Sequence, residues 1–398
     1  MTETADFASA LLIVAVAVVL AVLATAFTGR FPVPAPAIFL LAAAAVSDLW
    51  PQVYAAVPIL TVERIAVVAL VVILFNGGID IGWNRFRGTA APILSLGIIG
   101  TFATTGIVAV FAHLALDVSW TVAGILGAAL APTDPAVVFS VLGRREIDGR
   151  SGTTLEGEAG VNDPAGIALM LGMIELATHT DESAFVVVRE FVVEMGIGAV
   201  VGFAGARVLI PLLGRISLPA SGLYPVLALA VAGALYGVTA LLHGSGFLAV
   251  FVAGLLLGDA RLRYKDEIER FHGSLATLAE IVVFVGLGLT VELDSLDGSV
   301  WVDSLALFLV LSLVARPLVV VVTLVRARLS PAERAFIAWS GLKGAVPILL
   351  AAFAVIGGAP SADRVYGIVF VVVLLSVVIQ GTLVPTVAER LQIPTGRR

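Results

Sequence analysis

The stretch Leu155-Glu156-Gly157-Glu158-Ala159-Gly160-Val161-Asn162-Asp163-Pro164-Ala165-Gly166-Ile167-Ala168-Leu169 sets four strongly polar side chains into an otherwise apolar run. The chain around it is 60% hydrophobic and only 13% charged, against about 25% charged in an ordinary soluble domain. Its mean hydropathy of +1.08 excludes a soluble globule and implies an all-α polytopic protein of the lipid bilayer. Charges at membrane depth cost a few kcal/mol each and mark substrate or ion pathways. Glu156, Glu158, Asn162 and Asp163 are therefore candidate pathway residues, with the rest of the chain as their scaffold. Cysteine is absent, which excludes disulfides and thiolate metal sites. No basic stripe is present, so nucleic acid is not an expected partner.

A helix needs about 20 apolar residues to cross the hydrocarbon core. Runs of that kind fall near 7–27, 35–48, 61–80, 90–113, 120–142, 153–178, 186–209, 222–242, 245–259, 272–292, 301–324, 332–356 and 364–387, about 13 transmembrane helices. The first lacks a basic leader and a small-residue cleavage site, so it is read as a retained span. Lys and Arg bias the orientation. With 13 spans, 18 of the 23 cations fall in loops on the side reached after the first span. That side is expected to be cytoplasmic, with the N-terminus outside and the C-terminus inside. Asp48 and Asp259, Phe75-Asn76-Gly77 and Phe284-Val285-Gly286, and Pro135 and Pro347 each recur about 210 residues apart. Two repeats of opposite orientation follow, about 6–180 and 220–390, joined by a linking span at 186–213. No soluble regulatory domain is expected, and residues 1–398 are read as one transmembrane domain.

Two spans are interrupted at corresponding places. Ala131-Pro132-Thr133-Asp134-Pro135 and Gly341-Leu342-Lys343-Gly344-Ala345-Val346-Pro347 should both unwind, because proline removes a backbone donor and clashes with the preceding turn. Unwound backbone at membrane depth needs protein or a wet cavity beside it. The first break offers the Thr133 hydroxyl and the Asp134 carboxylate. The second offers Lys343, placed to neutralise a helix end where Asp134 neutralises another. Asp163, beside Asn162 and before Pro164, is the candidate exchange site. A carboxylate in a poorly solvated cavity is costly to ionise, so a proton competes there with a bare monovalent cation. Taken alone, Asn162-Asp163-Pro164 also fits a helix-breaking turn that caps a new segment. Glu158 needs a buried positive partner, and Arg316 or Lys343 can supply it; the arginine fork suits a carboxylate better. Asn76, Asp80 and Glu156 are possible pathway residues. Glu280 and Gln380 are read as buried polar glue, and His113, His179, His243 and His272 as span-end residues.

Thr133-Asp134-Pro135, Glu158 with Asn162-Asp163-Pro164, and Gly341-Leu342-Lys343-Gly344 together resemble the sodium/proton exchanger family of monovalent cation/proton antiporters. The resemblance is closest to the NhaP-type branch, some of whose members move potassium, and it covers nearly the whole chain. It implies an NhaA-like antiporter fold with two crossed, unwound helices, a homodimer in the cell membrane, and a role in pH homeostasis. It implies elevator-type alternating access with Asp163 carrying either Na+ or K+ or a proton, no other cofactor, and no enzymatic activity. Thr133, Asp134 and Asn162 are implied as the surrounding cation/proton-binding residues, with Glu158, Arg316 and Lys343 in support. One cation for one proton is implied because Asn162, not a second aspartate, precedes Asp163. The chain departs from the family at Ala159, where a hydroxyl is common, at Asn76, where an acid is common, and at Lys343, where arginine is common. A channel-like protein and a sodium-coupled organic-anion symporter of similar fold are the alternatives. An intramembrane aspartyl protease needs a Tyr-Asp that the sequence lacks.

Overall fold

The computed structural model describes residues 18–25, 33–142, 145–147, 149–179 and 185–397. The span expected at 7–27 lies largely outside these residues. Apart from a short helix at Pro51–Ala56, the remaining helices are α1 (Ala35–Leu49), α2 (Ile59–Gly88), α3 (Ala90–Ala115), α4 (Trp120–Leu130), α5 (Pro135–Leu142), α6 (Arg150–Thr178), α7 (Phe185–Arg215), α8 (Leu223–Leu241), α9 (Gly246–Gly258), α10 (Lys265–Gly288), α11 (Gly298–Thr323), α12 (Pro331–Trp339), α13 (Ala345–Ile356) and α14 (Ala362–Arg390). A three-residue antiparallel pairing, Arg145–Ile147 with Thr395–Arg397, ties the α5–α6 loop to the segment after α14. Among the described residues eight stretches are long and apolar enough to cross a membrane, and α1, α9 and α13 are shorter apolar helices.

Local sequence explains where the helices stop. α4 ends at Leu130, and α5 begins at Pro135, the first helical position that tolerates proline because its missing N–H has no intrahelical partner there. α12 and α13 are separated by 340–344, which holds two glycines. α11 carries a wide π-type turn at Leu311–Ala315. Pro317 follows and leaves the Leu313 carbonyl without its normal donor, a usual setting for such a turn. α14 widens in the same way at Ser376–Gly381.

α13 is apolar on every side and is buried from Ala345 to Ala352, as a helix without a polar face must be. It packs on α4, α6 and α14, so both interrupted spans and α6 form one interior group. α2 runs along α9 and α10, and α10 also packs on α1. Large apolar side chains project outward from α7 and α11, including Val192, Val200, Leu313 and Val321, as suits helices facing hydrocarbon.

Two expectations are corrected. α6 is a single helix from Arg150 to Thr178 with Pro164 inside it; Asn162 and Pro164 do not break it. Proline in a helix interior costs about 3 kcal/mol, but every residue from Gly157 to Met170 is buried, and that packing overrides the local penalty. Pro164 merely leaves the Gly160 carbonyl without its intrahelical donor. His272 is not a span-end residue. It is fully buried in α10, edge-on to Phe75 at 5.2 Å, because α10 starts two turns earlier than the hydropathy suggests.

The continuity of α6 is testable. Pro164→Ala restores a donor to Gly160 without deleting a turn. Helix content by circular dichroism and the thermal midpoint in detergent are expected to be no lower than in the parent; a fall of several degrees would show that the proline shapes the helix.

Candidate functional site

The two interruptions meet. The backbone N–H of Asp134 donates to the Leu342 carbonyl at 2.8 Å, so each broken chain satisfies part of the other. Four helix ends converge here, and each carries partial charge from its unpaired backbone groups. Lys343 Nζ donates to the Ala131 and Pro132 carbonyls at 3.0 Å each, at the C-terminal end of α4. Asp134 Oδ1 accepts from the Ala136 N–H at 2.9 Å and so caps α5. The same carboxylate lies against Gly344 at the start of α13, where any Cβ would collide with it. Arg316 Nη2 donates to the Ile337 carbonyl at 3.2 Å, near the C-terminal end of α12. Gly341 is required beside Arg316 in the same way, since a Cβ there would strike the guanidinium. Asp134 and Lys343 thus sit where the sequence suggested, as anion at helix N-termini and cation at a helix C-terminus.

Glu158 resolves to Arg316. Both carboxylate oxygens accept from the guanidinium, the Nη2–Oε2 bond being 2.8 Å and the other from Nη1 to Oε1. Glu158 is 1% and Arg316 7% exposed, so the pair is removed from solvent and its bidentate geometry is what offsets desolvation. Asn162, one turn further along α6, donates from Nδ2 to the Thr133 hydroxyl at 2.8 Å and so holds the first break.

A second bracing chain was not legible in the sequence beyond the reading of Gln380 as glue. Gln380 Nε2 donates to the Trp339 carbonyl at 2.5 Å, and its Oε1 accepts from Ser376 (3.3 Å) and Ser312 (3.2 Å). Ser376 Oγ in turn accepts the Lys343 N–H at 2.9 Å. The chain spans the α12–α13 gap and satisfies an orphan carbonyl on one side and an orphan N–H on the other. Gln380 and Ser376 both lie in the wide turn of α14.

Asp163 is 7% exposed, and its Oδ1 has no hydrogen-bond partner among the described residues. It lines a cavity of about 620 Å³ whose other polar walls include Asn76, Asp80, Asp134, Glu156 and Glu280. The three possible pathway residues therefore do share one space with the candidate site. At its mouth Arg85 approaches Glu156 (3.7 Å) and donates to the Thr153 hydroxyl (3.3 Å), and Asn76 donates to Asp80 (2.8 Å). A further hollow of about 520 Å³ shares Asp80 and Arg85 with this mouth. Glu280 is on the cavity wall and makes no bracing contact among the described residues; the reading of it as glue is corrected. Among the described residues no three His, Asp or Glu side chains cluster as a multidentate metal site.

Four fixed charges surround Asp163. Asp134 and Glu158 are negative, Arg316 and Lys343 positive, and each has a partner already described. Their formal charges sum to zero; Glu280, on another wall of the cavity, lies outside this group.

Residues 15–390 match the family described as sodium/hydrogen exchanger, transmembrane. The chain is 36% identical over 334 residues to the K(+)/H(+) antiporter NhaP of Alkalimonas amylolytica, covering 82% of this chain and 57% of that one. It is 35% identical to the K(+)/H(+) antiporter NhaP2 of Shewanella sp. strain MR-4, covering 83% and 58%. It is 27% identical to the Na(+)/H(+) antiporter NhaH of Halobacillus dabanensis, covering 80% and 81%. The fold matches that of the sodium proton antiporter MjNhaP1 from Methanocaldococcus jannaschii at pH 8, with a TM-score of 0.80 at 23% identity over 95% of this chain and 97% of that one. The chain belongs to the sodium/hydrogen exchanger family, a family of transmembrane exchangers and not of enzymes. It spans a little over half the length of the NhaP and NhaP2 relatives.

Two outcomes follow from the bracing contacts. Arg316→Ala strands a buried carboxylate and should lower stability by about 3–5 kcal/mol, read as lost monodispersity or a large fall in thermal midpoint. Gln380→Leu leaves the Trp339 carbonyl unpaired and should cost about 1–3 kcal/mol, with a smaller fall in the same assay.

Proposed function

We propose that the chain exchanges a monovalent cation, Na+ or K+, for a proton across the membrane, with Asp163 as the group that carries either. The observation that carries this reading is that Asp163 is buried, lines the cavity, has an oxygen without a hydrogen-bond partner among the described residues, and belongs to an interior group whose other four formal charges sum to zero. Relatives named for Na+ or K+ exchange against H+ support the class of cargo.

The cycle follows from competition for one carboxylate. Asp163, open to the cavity, releases its proton to water and accepts a dehydrated cation. The Thr133 hydroxyl and backbone oxygens of the break offer further ligands, and Asn162 keeps Thr133 in place. With either occupant the group around Asp163 is neutral, since the other four charges cancel. Exchange is then one for one and electroneutral. The interrupted helices and α6, joined by the Asp134–Leu342, Asn162–Thr133 and Glu158–Arg316 contacts, move as one elevator-type body past α2 and α10. The cavity mouth, with Arg85 and Arg270 nearby, faces the cytoplasm under the positive-inside bias. The N-terminus is then outside and the C-terminus inside, in a homodimer of the cell membrane that serves pH homeostasis.

The test uses proteoliposomes with an internal pH dye and external Na+ or K+ added ion by ion. The parent should give cation-dependent proton movement, and its Na+ response should not change when the membrane potential is clamped. Asp163→Asn and Asp163→Ala should abolish the response while remaining folded. Robust exchange by Asp163→Ala would sink the mechanism.

A further inference from the structure

Glu280 lies in the same cavity as Asp163, on the facing wall. α6 and α10 begin at the same end of the molecule. Arg85 touches Thr153 in the second turn of α6 and shares a hollow with Arg270 in the second turn of α10. Asp163 is thirteen residues from the start of α6 and Glu280 fifteen from the start of α10. At 1.5 Å per residue those are depths of about 20 and about 22 Å. The two carboxylates therefore stand at nearly one level on different helices.

Oxygen-bearing side chains form one strip of the wall beside Glu280, among Ala276, Val283 and Phe284. Ser274, Thr277 and Glu280 recur every three residues along α10 and line the cavity, as one face of a helix does. Thr277 gives its proton to the Gly273 carbonyl at 3.0 Å, which leaves its oxygen lone pairs free to accept. Nearer the mouth Asn76 Oδ1 is buried without a hydrogen-bond partner among the described residues; it lies beside Gly273, about 10 Å along α10 from Glu280, and so marks the approach to Glu280. Glu280 itself has neither hydrogen bond nor ion pair among the described residues. The cations that could answer it are engaged elsewhere: Arg85 with Glu156, Lys343 with two carbonyls, Arg316 with Glu158. A carboxylate in a cavity with no fixed counter-charge calls for a mobile one, and hard alkali cations favour oxygen ligands.

We propose that Glu280, with the Thr277 hydroxyl one turn before it on α10, forms a second site for a monovalent cation on the cavity wall opposite Asp163. The site gathers Na+ or K+ beside the exchange carboxylate and sets the concentration at which Asp163 is loaded. The inference rests on the reading of Asp163 as the exchange group.

Two measurements test it on the full chain. Binding of radioactive Na+ to purified protein in detergent should persist in Asp163→Asn and disappear in Asp163→Asn/Glu280→Gln. In proteoliposomes Glu280→Gln should raise the apparent KM for the cation about ten-fold, the loss of roughly one close charge interaction, with exchange still reaching saturation. Glu280→Asp should give a smaller rise. If Glu280→Gln is not recovered folded, Thr277→Val probes the same site and should raise KM. Equal Na+ binding by Asp163→Asn and the double variant, or a parental KM in the folded Glu280 and Thr277 variants, would overturn the second site. Loss of the exchange reading is seen separately, as absence of cation-dependent proton movement in the parent, and the binding comparison still decides Glu280 in that case.

Discussion

Backbone that leaves a helix inside a membrane has no water to turn to, and this constraint governs the interior. Each of the two interruptions exposes carbonyls on one side and N–H groups on the other, and each unsatisfied group costs several kcal/mol in hydrocarbon. The molecule meets that cost with side chains from other helices. Lys343 serves the carbonyls after α4, Asp134 the N-termini of α5 and α13, Arg316 and Gln380 the end of α12. Glu158 is present because Arg316 is. The buried charges are thus consequences of the broken backbone, arranged one after another, and Asp163 is the carboxylate of the group left over once they are paired.

The two breaks are braced by different means. The first is held by a charged and an amide side chain, Lys343 on the Ala131 and Pro132 carbonyls and Asn162 on Thr133. The second is held by a relay through Gln380 and Ser376 to both sides of the gap. A relay of neutral groups adds no charge to the interior, which keeps the electrostatic balance independent of how firmly the second break is fixed. The wide turn in α14 matters for this, since it carries both relay residues; a regular helix would present positions four apart on one face in a different register.

Much of this was legible in the chain. Apolar length located the spans, Pro132, Pro135 and the glycines near Lys343 located the breaks, and the scarcity of buried cations limited the partners of Glu158 to two. The failures have physical causes. Asn162-Asp163-Pro164 looks like a turn by local propensity, but a helix buried along its whole middle is held by packing that no three-residue pattern reports. His272 was misplaced because α10 extends beyond its apolar run, so hydropathy marks the lipid-covered part of a helix and not the helix. Which way Glu280 faces, and the Gln380 relay, depend on contacts between residues far apart in sequence, and nothing in a local window encodes them.

Cancellation among Asp134, Glu158, Arg316 and Lys343 also bears on slippage. In the cycle proposed above, a body whose Asp163 is bare carries one uncompensated charge, and displacing it through low dielectric is penalised by several kcal/mol. The same body with a proton or an alkali ion in place is neutral and escapes that penalty. On that proposal futile empty strokes are rare without any gate, because the coupling of the two ion flows is written into the charge balance and not into a moving barrier.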